Sequence, residues 1–125
     1  MKFTCLQENL KTALGIIERI AGRNGTLPIL SSVLLKNDQG RLRFIATDLE
    51  IGLTTWCAGK LEGEGVFAFP ARLLSQFVAY LPSQAKIQLD FRAPHLVVTT
   101  DGAKATFRGF EPKDFPLIPS FKSQH

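Results

Sequence analysis

Long apolar runs are missing from this sequence. Nothing in it approaches the about 18 consecutive apolar residues that a membrane-crossing helix needs. The opening Met1-Lys2-Phe3-Thr4-Cys5-Leu6-Gln7-Glu8 turns polar too soon for the apolar stretch of a secretory signal. The expectation is a cytoplasmic protein with no membrane partner. Cysteine is scarce too: Cys5 and Cys57 are too few and too far apart to read as a disulfide framework or a zinc site. Each lies in an apolar run, so buried structural thiols are expected. His95 and His125 have no Cys, Asp or Glu at ligand spacing, and neither a metal nor a cofactor is expected. One Trp and one Tyr stand against ten Phe, which points to a core filled by rings that carry no polar group to satisfy.

Catalytic patterns are equally thin. Ser31, Ser32, Ser75 and Ser83 lack a Gly-x-Ser-x-Gly elbow, and neither histidine has a carboxylate nearby in sequence to orient it. Gly59, Gly63 and Gly65 lead into a strand and not a helix, so they do not form a phosphate-binding loop. The close carboxylates Asp48 and Glu50 sit at alternating positions in a turn and could share a face. No His, Cys or second carboxylate cluster accompanies them, and a turn Asp commonly bonds local amides. The structural reading is favoured, and no catalytic centre is expected.

What is present fits one soluble globular domain. The chain has 125 residues, 45% of them apolar and 21% charged, enough for a single substantial core. Its net charge of +4 and pI near 9.3 are compatible with nucleic acid, but the basic residues are scattered. Contact with DNA would then be loose and directed at phosphates.

The elements recur in order. Met1–Cys5 predicts a strand. Leu10, Ala13, Leu14, Ile17 and Ile20 recur at helical spacing over residues 7–21, with Glu8, Lys11, Thr12, Glu18 and Arg19 on the other side. Gly22-Arg23-Asn24-Gly25 ends that helix. Strands are predicted over 32–37, 41–46 and 51–58, the first two joined by a hairpin turn at Asp38-Gln39-Gly40, and residues 59–64 read as a closing loop. A strand at 65–69 then leads into a second helix with Pro70 at its first position. That helix is marked by Leu73, Leu74, Phe77, Val78 and Leu81 and stopped by Pro82. Strands at 86–92, 95–100 and 103–109 complete the second unit. The periodicity thus predicts an α+β domain of two β-α-β-β-β units, residues 1–58 and 65–109, related by a pseudo-twofold with two sheets backed by two helices.

Two arginines and one strand are the candidate contacts. Arg23 follows the first helix, and Arg72 opens the second, where unpaired amides and the helix dipole favour an anion. Either could equally be an ordinary solvated arginine. The strand Lys104-Ala105-Thr106-Phe107-Arg108 mixes small and charged residues, as suits an edge guarded against random pairing or one that pairs with a chosen partner.

Several segments, in this order and at this spacing, resemble the bacterial replicative sliding clamp, the beta subunit of DNA polymerase III. They are Met1-Lys2-Phe3-Thr4, Thr26-Leu27-Pro28-Ile29-Leu30, Thr47-Asp48-Leu49-Glu50, Phe69-Pro70-Ala71-Arg72, Leu81-Pro82 and Asp114-Phe115-Pro116. The resemblance implies a DNA-clamp fold with two antiparallel four-stranded sheets over residues 1–120, and residues 121–125 as the start of a linker. It implies a non-catalytic processivity factor: a head-to-tail homodimer of three-domain chains that encircles duplex DNA and tethers the polymerase. By position, Arg72 matches a DNA-contacting arginine, while the family's second such arginine falls on Asn24, with Arg23 beside it as a substitute. Lys11 is a further candidate. Lys104 to Arg108 correspond to the edge that pairs with the other subunit, with Phe77 and Leu81 beside that junction. The domains that receive the polymerase and the clamp loader lie outside this sequence, which reads as one piece of a longer protein. A stand-alone module that caps a full clamp through its edge strand is the alternative.

Overall fold

The computed structural model describes residues 1–21 and 31–115. In the first strand, β1 (Lys2–Leu6), Phe3 and Cys5 point inward and their neighbours outward, the period-two pattern of a strand with one buried face. Helix α1 (Gln7–Glu18) follows without a loop. Leu10, Ala13, Leu14 and Ile17 form its buried stripe. Buried Gln7 anchors its start by donating from Nε2 to the Val78 carbonyl at 2.9 Å. Regular helix stops at Glu18, short of the predicted Ala21. There the bonds tighten to Arg19 N–H on Ile16 O and Ile20 N–H on Ile17 O, as helix ends often do.

β2 (Ser32–Asp38), β3 (Arg41–Thr47) and β4 (Gly52–Cys57) run as an antiparallel meander. Gln39 and Gly40 have φ of 55° and 87°, the positive pair that a tight two-residue hairpin requires. Residues 59–64 have the composition of a loop, yet Lys60–Glu62 forms a strand, β5, antiparallel to β1. Three residues with one half-buried Leu61 between two charges are too few to show a period. The sheet that holds β1 therefore has five strands, not the expected four.

β6 (Val66–Pro70) precedes α2 (Ala71–Ala79). Pro70 is not the first helical residue: it pairs with Ser32 as the last residue of β6 and stands at the N-cap. β6 is an edge strand, where a proline with no N–H to donate costs the ladder little. β7 (Lys86–Arg92), β8 (His95–Thr100) and β9 (Ala103–Arg108) form the second meander, followed by a short 3-10 turn at Pro112–Asp114.

The strand orders are β5-β1-β7-β8-β9 and β4-β3-β2-β6. The two repeats exchange their first strands. β1 pairs with β7, and β6 pairs with β2, so each sheet is built from both halves of the chain. The core lies between the sheets and under the helices, with Phe3, Phe44 and Phe69 fully buried and the Phe67, Phe69 and Phe91 rings in mutual contact. Cys5 and Cys57 are buried, as expected. Far apart in sequence, both belong to the one buried cluster.

Candidate nucleic-acid interface

The two helices pack side by side, and Ser75 Oγ donates to Glu18 Oε2 at 2.7 Å across the seam. With the apolar stripes turned inward, the outer helix faces carry the polar residues. On α1 these include Lys11, Thr12, Glu18 and Arg19, all exposed. A shallow cleft of about 500 Å³ runs along this face, lined by Glu8, Lys11, Gly15 and Arg19 among others. Lys11 and Arg19 are two helical turns apart and so share one side. Lys11 is legible as a candidate in the sequence. Arg19 is legible only as part of the polar face, although its spacing from Lys11 is a signal that marks it as a second contact.

Arg72 is the second residue of α2 and is exposed. The N-cap Pro70 has no side-chain hydrogen bond to offer, and the first turn contains no acidic residue. The leading N–H groups of α2 thus meet an anion with neither a cap nor a carboxylate of their own turn in competition. Arg72 pairs with no carboxylate among the described residues. It shares a cleft of about 390 Å³ with Glu18, Ala21, Ser31, Pro70 and Leu73, so one acidic side chain does border the site and moderates its field. The other two candidates, Arg23 and Asn24, lie outside the described residues.

The candidate interface residues gather at a different place. β9 ends the five-stranded sheet, and its outer side lacks a strand partner among the described residues. Lys104, Thr106 and Arg108 are exposed, while Ala103, Ala105 and Phe107 are half-buried. The Phe107 ring meets the Phe77 ring of α2 edge-on, with centroids 6.0 Å apart and planes at 69°. Leu81 is half-buried against the same core. This brings one edge of unpaired backbone groups beside a partly exposed aromatic pair.

The Asp48 carboxylate is turned toward the backbone of its own loop. Asp48 Oδ1 accepts hydrogen bonds from Glu50 N–H at 2.9 Å and Ile51 N–H at 2.8 Å, and Thr47 Oγ1 accepts one from Leu49 N–H. The carboxylate holds a turn in which Leu49 takes φ 83°. No group of three or more His, Cys, Asp or Glu placed to hold a metal occurs among the described residues. No helix among them is long and apolar enough to cross a membrane.

Comparison with known proteins agrees with this geometry. The family model described as "DNA polymerase III beta subunit, N-terminal domain" matches residues 1–119. The beta sliding clamp of Synechococcus elongatus is 32% identical over 126 residues, covering 99% of this chain and 34% of the relative. That of Caulobacter vibrioides is 32% identical over 122 residues, covering 96% and 33%. The solved structure of Caulobacter crescentus pol III beta superposes with a TM-score of 0.89 at 32% identity, covering 96% of this chain and 32% of that one. The Pseudomonas aeruginosa beta subunit gives 0.87 at 29% identity, covering 94% and 32%. The chain spans about a third of the length of the curated relatives it matches.

Proposed function

Since the chain belongs to the family of the DNA polymerase III beta subunit, N-terminal domain, we propose that it serves as one segment of a ring that encircles duplex DNA and holds a replicative polymerase to it, with no catalytic step of its own. The uncapped start of α2 with Arg72 beside it carries the reading: it offers a phosphate an anion site without any shape that could read a base. Lys11 and Arg19 extend the positive face along α1, and Arg23 and Asn24 are proposed to continue it. Glu8 and Glu18 on the same faces keep the attraction weak. A ring that must slide needs this balance, because topological linkage supplies retention and tight contacts would impede motion.

We assign ring closure to β9. Lys104 to Arg108 would add to a strand of a second subunit, with Phe77, Leu81 and Phe107 forming the apolar part of that contact. The same edge would let the chain, acting alone, cap a complete clamp.

The test has two arms. Titrated with duplex DNA at graded salt, the chain should bind feebly and without sequence preference, and its affinity should fall as salt rises. Tight, sequence-selective binding would overturn the proposal. Grafted in place of the N-terminal domain of the Caulobacter clamp, it should give a ring that stays on closed circular DNA and leaves when the circle is cut. Equal retention on cut DNA would sink the encircling role.

A further inference from the structure

The four-stranded sheet packs one face against the helices, and its other face has no part in the reading above. Leu35 of β2, Phe44 of β3, Cys57 of β4 and Phe69 of β6 belong to the buried core, so the alternate residues of each strand point the other way. The register lines up four of these in one row across the sheet. Trp56 stands opposite Arg43, Arg43 opposite Lys36, and Lys36 opposite Val66. The two ends of the row are apolar and 41% and 44% exposed, and the two cations between them are half-buried.

Like charges directly opposite each other on neighbouring strands repel. Here the chain does not relieve them, for neither Lys36 nor Arg43 pairs with a carboxylate among the described residues. Arg43 Nε is buried and has no hydrogen-bond partner, a donor left unsatisfied. The carboxylate two residues further along β2, that of Asp38, is already engaged. Its Oδ2 accepts from Trp56 Nε1 at 2.8 Å and lies 3.8 Å from the Arg41 guanidinium, whose carbon stands 5.0 Å from the centre of the Trp56 ring. These contacts hold the ring as a fixed wall at one end of the row, so a ligand meets a surface that needs little ordering.

We propose that this row docks an extended peptide of a partner protein, with Glu or Asp at its centre and an apolar side chain two residues to either side. The central carboxylate sits between Arg43 and Lys36 and accepts hydrogen bonds from both, which removes their conflict. The spacing agrees with this occupant. Strands lie about 4.8 Å apart, so the three steps from Trp56 to Val66 cover about 14 Å. An extended chain rises about 3.3 Å per residue, which sets side chains four residues apart, on one side, at about 13 Å. A peptide laid across the strands thus brings one apolar group to Trp56 and the other to Val66.

Charge and shape favour a peptide over a nucleic acid. The rows on either side of the two cations are the Arg41–Asp38 ion pair and the apolar Ile45 and Leu34, so no track of free positive charge continues for a phosphate backbone to follow. Val66 gives a base nothing to stack on.

Trp56 is the only tryptophan in the chain and serves as the reporter. The chain is titrated with the peptide acetyl-Gly-Leu-Ser-Glu-Ser-Leu-Gly-amide while the emission of Trp56 is followed. A saturable shift to the blue is expected as the ring is covered. The same peptide with glutamine in place of glutamate should bind about tenfold more weakly, because a charged acceptor becomes a neutral one. A peptide with both leucines moved next to the glutamate should also bind more weakly. Lys36→Glu sets opposite charges across the strands, so it should raise the thermal midpoint of the free chain and abolish binding. That rise shows the variant to be folded, and a purely structural role for Lys36 would not couple it to the loss of a ligand. No saturable shift, equal affinity for the three peptides, or undiminished binding by Lys36→Glu would each overturn the proposal. So would quenching of Trp56 by oligothymidylate at concentrations where the glutamate peptide has no effect, which would make the surface one for single-stranded nucleic acid.

Discussion

Single side chains in this domain divide between those that hold the backbone and those that do not need to be what they are. Gly15 belongs to the second kind. It sits exposed in the middle of α1, and a Cβ there would meet nothing within 4 Å. Gly15→Ala should stabilise the fold by about 0.5–1 kcal/mol, read as a higher urea midpoint at unchanged slope. Asp48 belongs to the first. Its carboxylate satisfies two backbone amides and supports Leu49 at φ 83°, a conformation that a branched side chain resists. Asp48→Ala should cost about 1–2 kcal/mol, with Asp48→Asn recovering much of it, because the amide oxygen can still accept. An enzyme reading would instead expect Asp48→Asn to abolish an activity without loss of folding. The turn character of Asp48 is legible in the sequence, since Thr-Asp-Leu-Glu lacks the companions a reactive carboxylate would need. The strain at Leu49 is not, because nothing in a leucine announces positive φ.

The elements are read most easily where their period is longest. Both helices show in the 3.6-residue recurrence of apolar residues, and two of the hairpins in turns that contain Gly40 and Gly102. β5 escapes because Lys60-Leu61-Glu62 offers a single apolar position, and its strand character comes from β1 alongside. Pro70 stands one step from its predicted place because a proline suits both the first turn of a helix and the end of an edge strand. For the candidate site, Arg72 and Lys11 can be placed from their position on an amphipathic pattern, whereas the uncapped amides around Arg72 become visible only once Pro70 is seen at the N-cap. Removing one phosphate-neutralising side chain should lower the salt slope of DNA binding by about 0.9. Arg72→Ala should therefore flatten that slope in an assembled clamp, while a change in sequence preference would contradict a phosphate role. At the edge strand, Phe77→Asp would place an unpaired charge against Phe107 and should weaken association of clamp subunits. Unchanged dimerisation by analytical ultracentrifugation would remove these rings from the interface.

At the scale of the whole molecule, the order of the repeat is legible and the exchange of strands is not. The residues of β1 carry the same alternation whichever sheet receives them, so the choice of β7 over β2 is written only in the packing of the complete domain. That Cys5 and Cys57 share one buried cluster is hidden for the same reason. Neither half of the chain contains a complete sheet, and the buried cluster runs without a break from Phe3 to Val98. Unfolding should then be a single transition, with circular dichroism and the fluorescence of Trp56 tracing one curve. Peptides spanning 1–58 and 65–109 should each be largely unfolded alone and gain structure on mixing. Independent folding of either peptide would show that the sheets are more separable than their strand order implies.

The same exchange bears on how the protein is made. Among the strands of this domain β1 is made before the rest, but its neighbour β7 is translated only after most of the domain, and β5 gives it just three residues to pair with in the meantime. At about 5–20 residues per second, several seconds pass between the synthesis of Lys2 and that of Arg92. Throughout that interval β1, with Phe3 and Cys5 on its inward face, lacks three of the five strands of its sheet. The first strand synthesised is among the last to be enclosed, so the nascent domain is most exposed to misassociation at its own beginning.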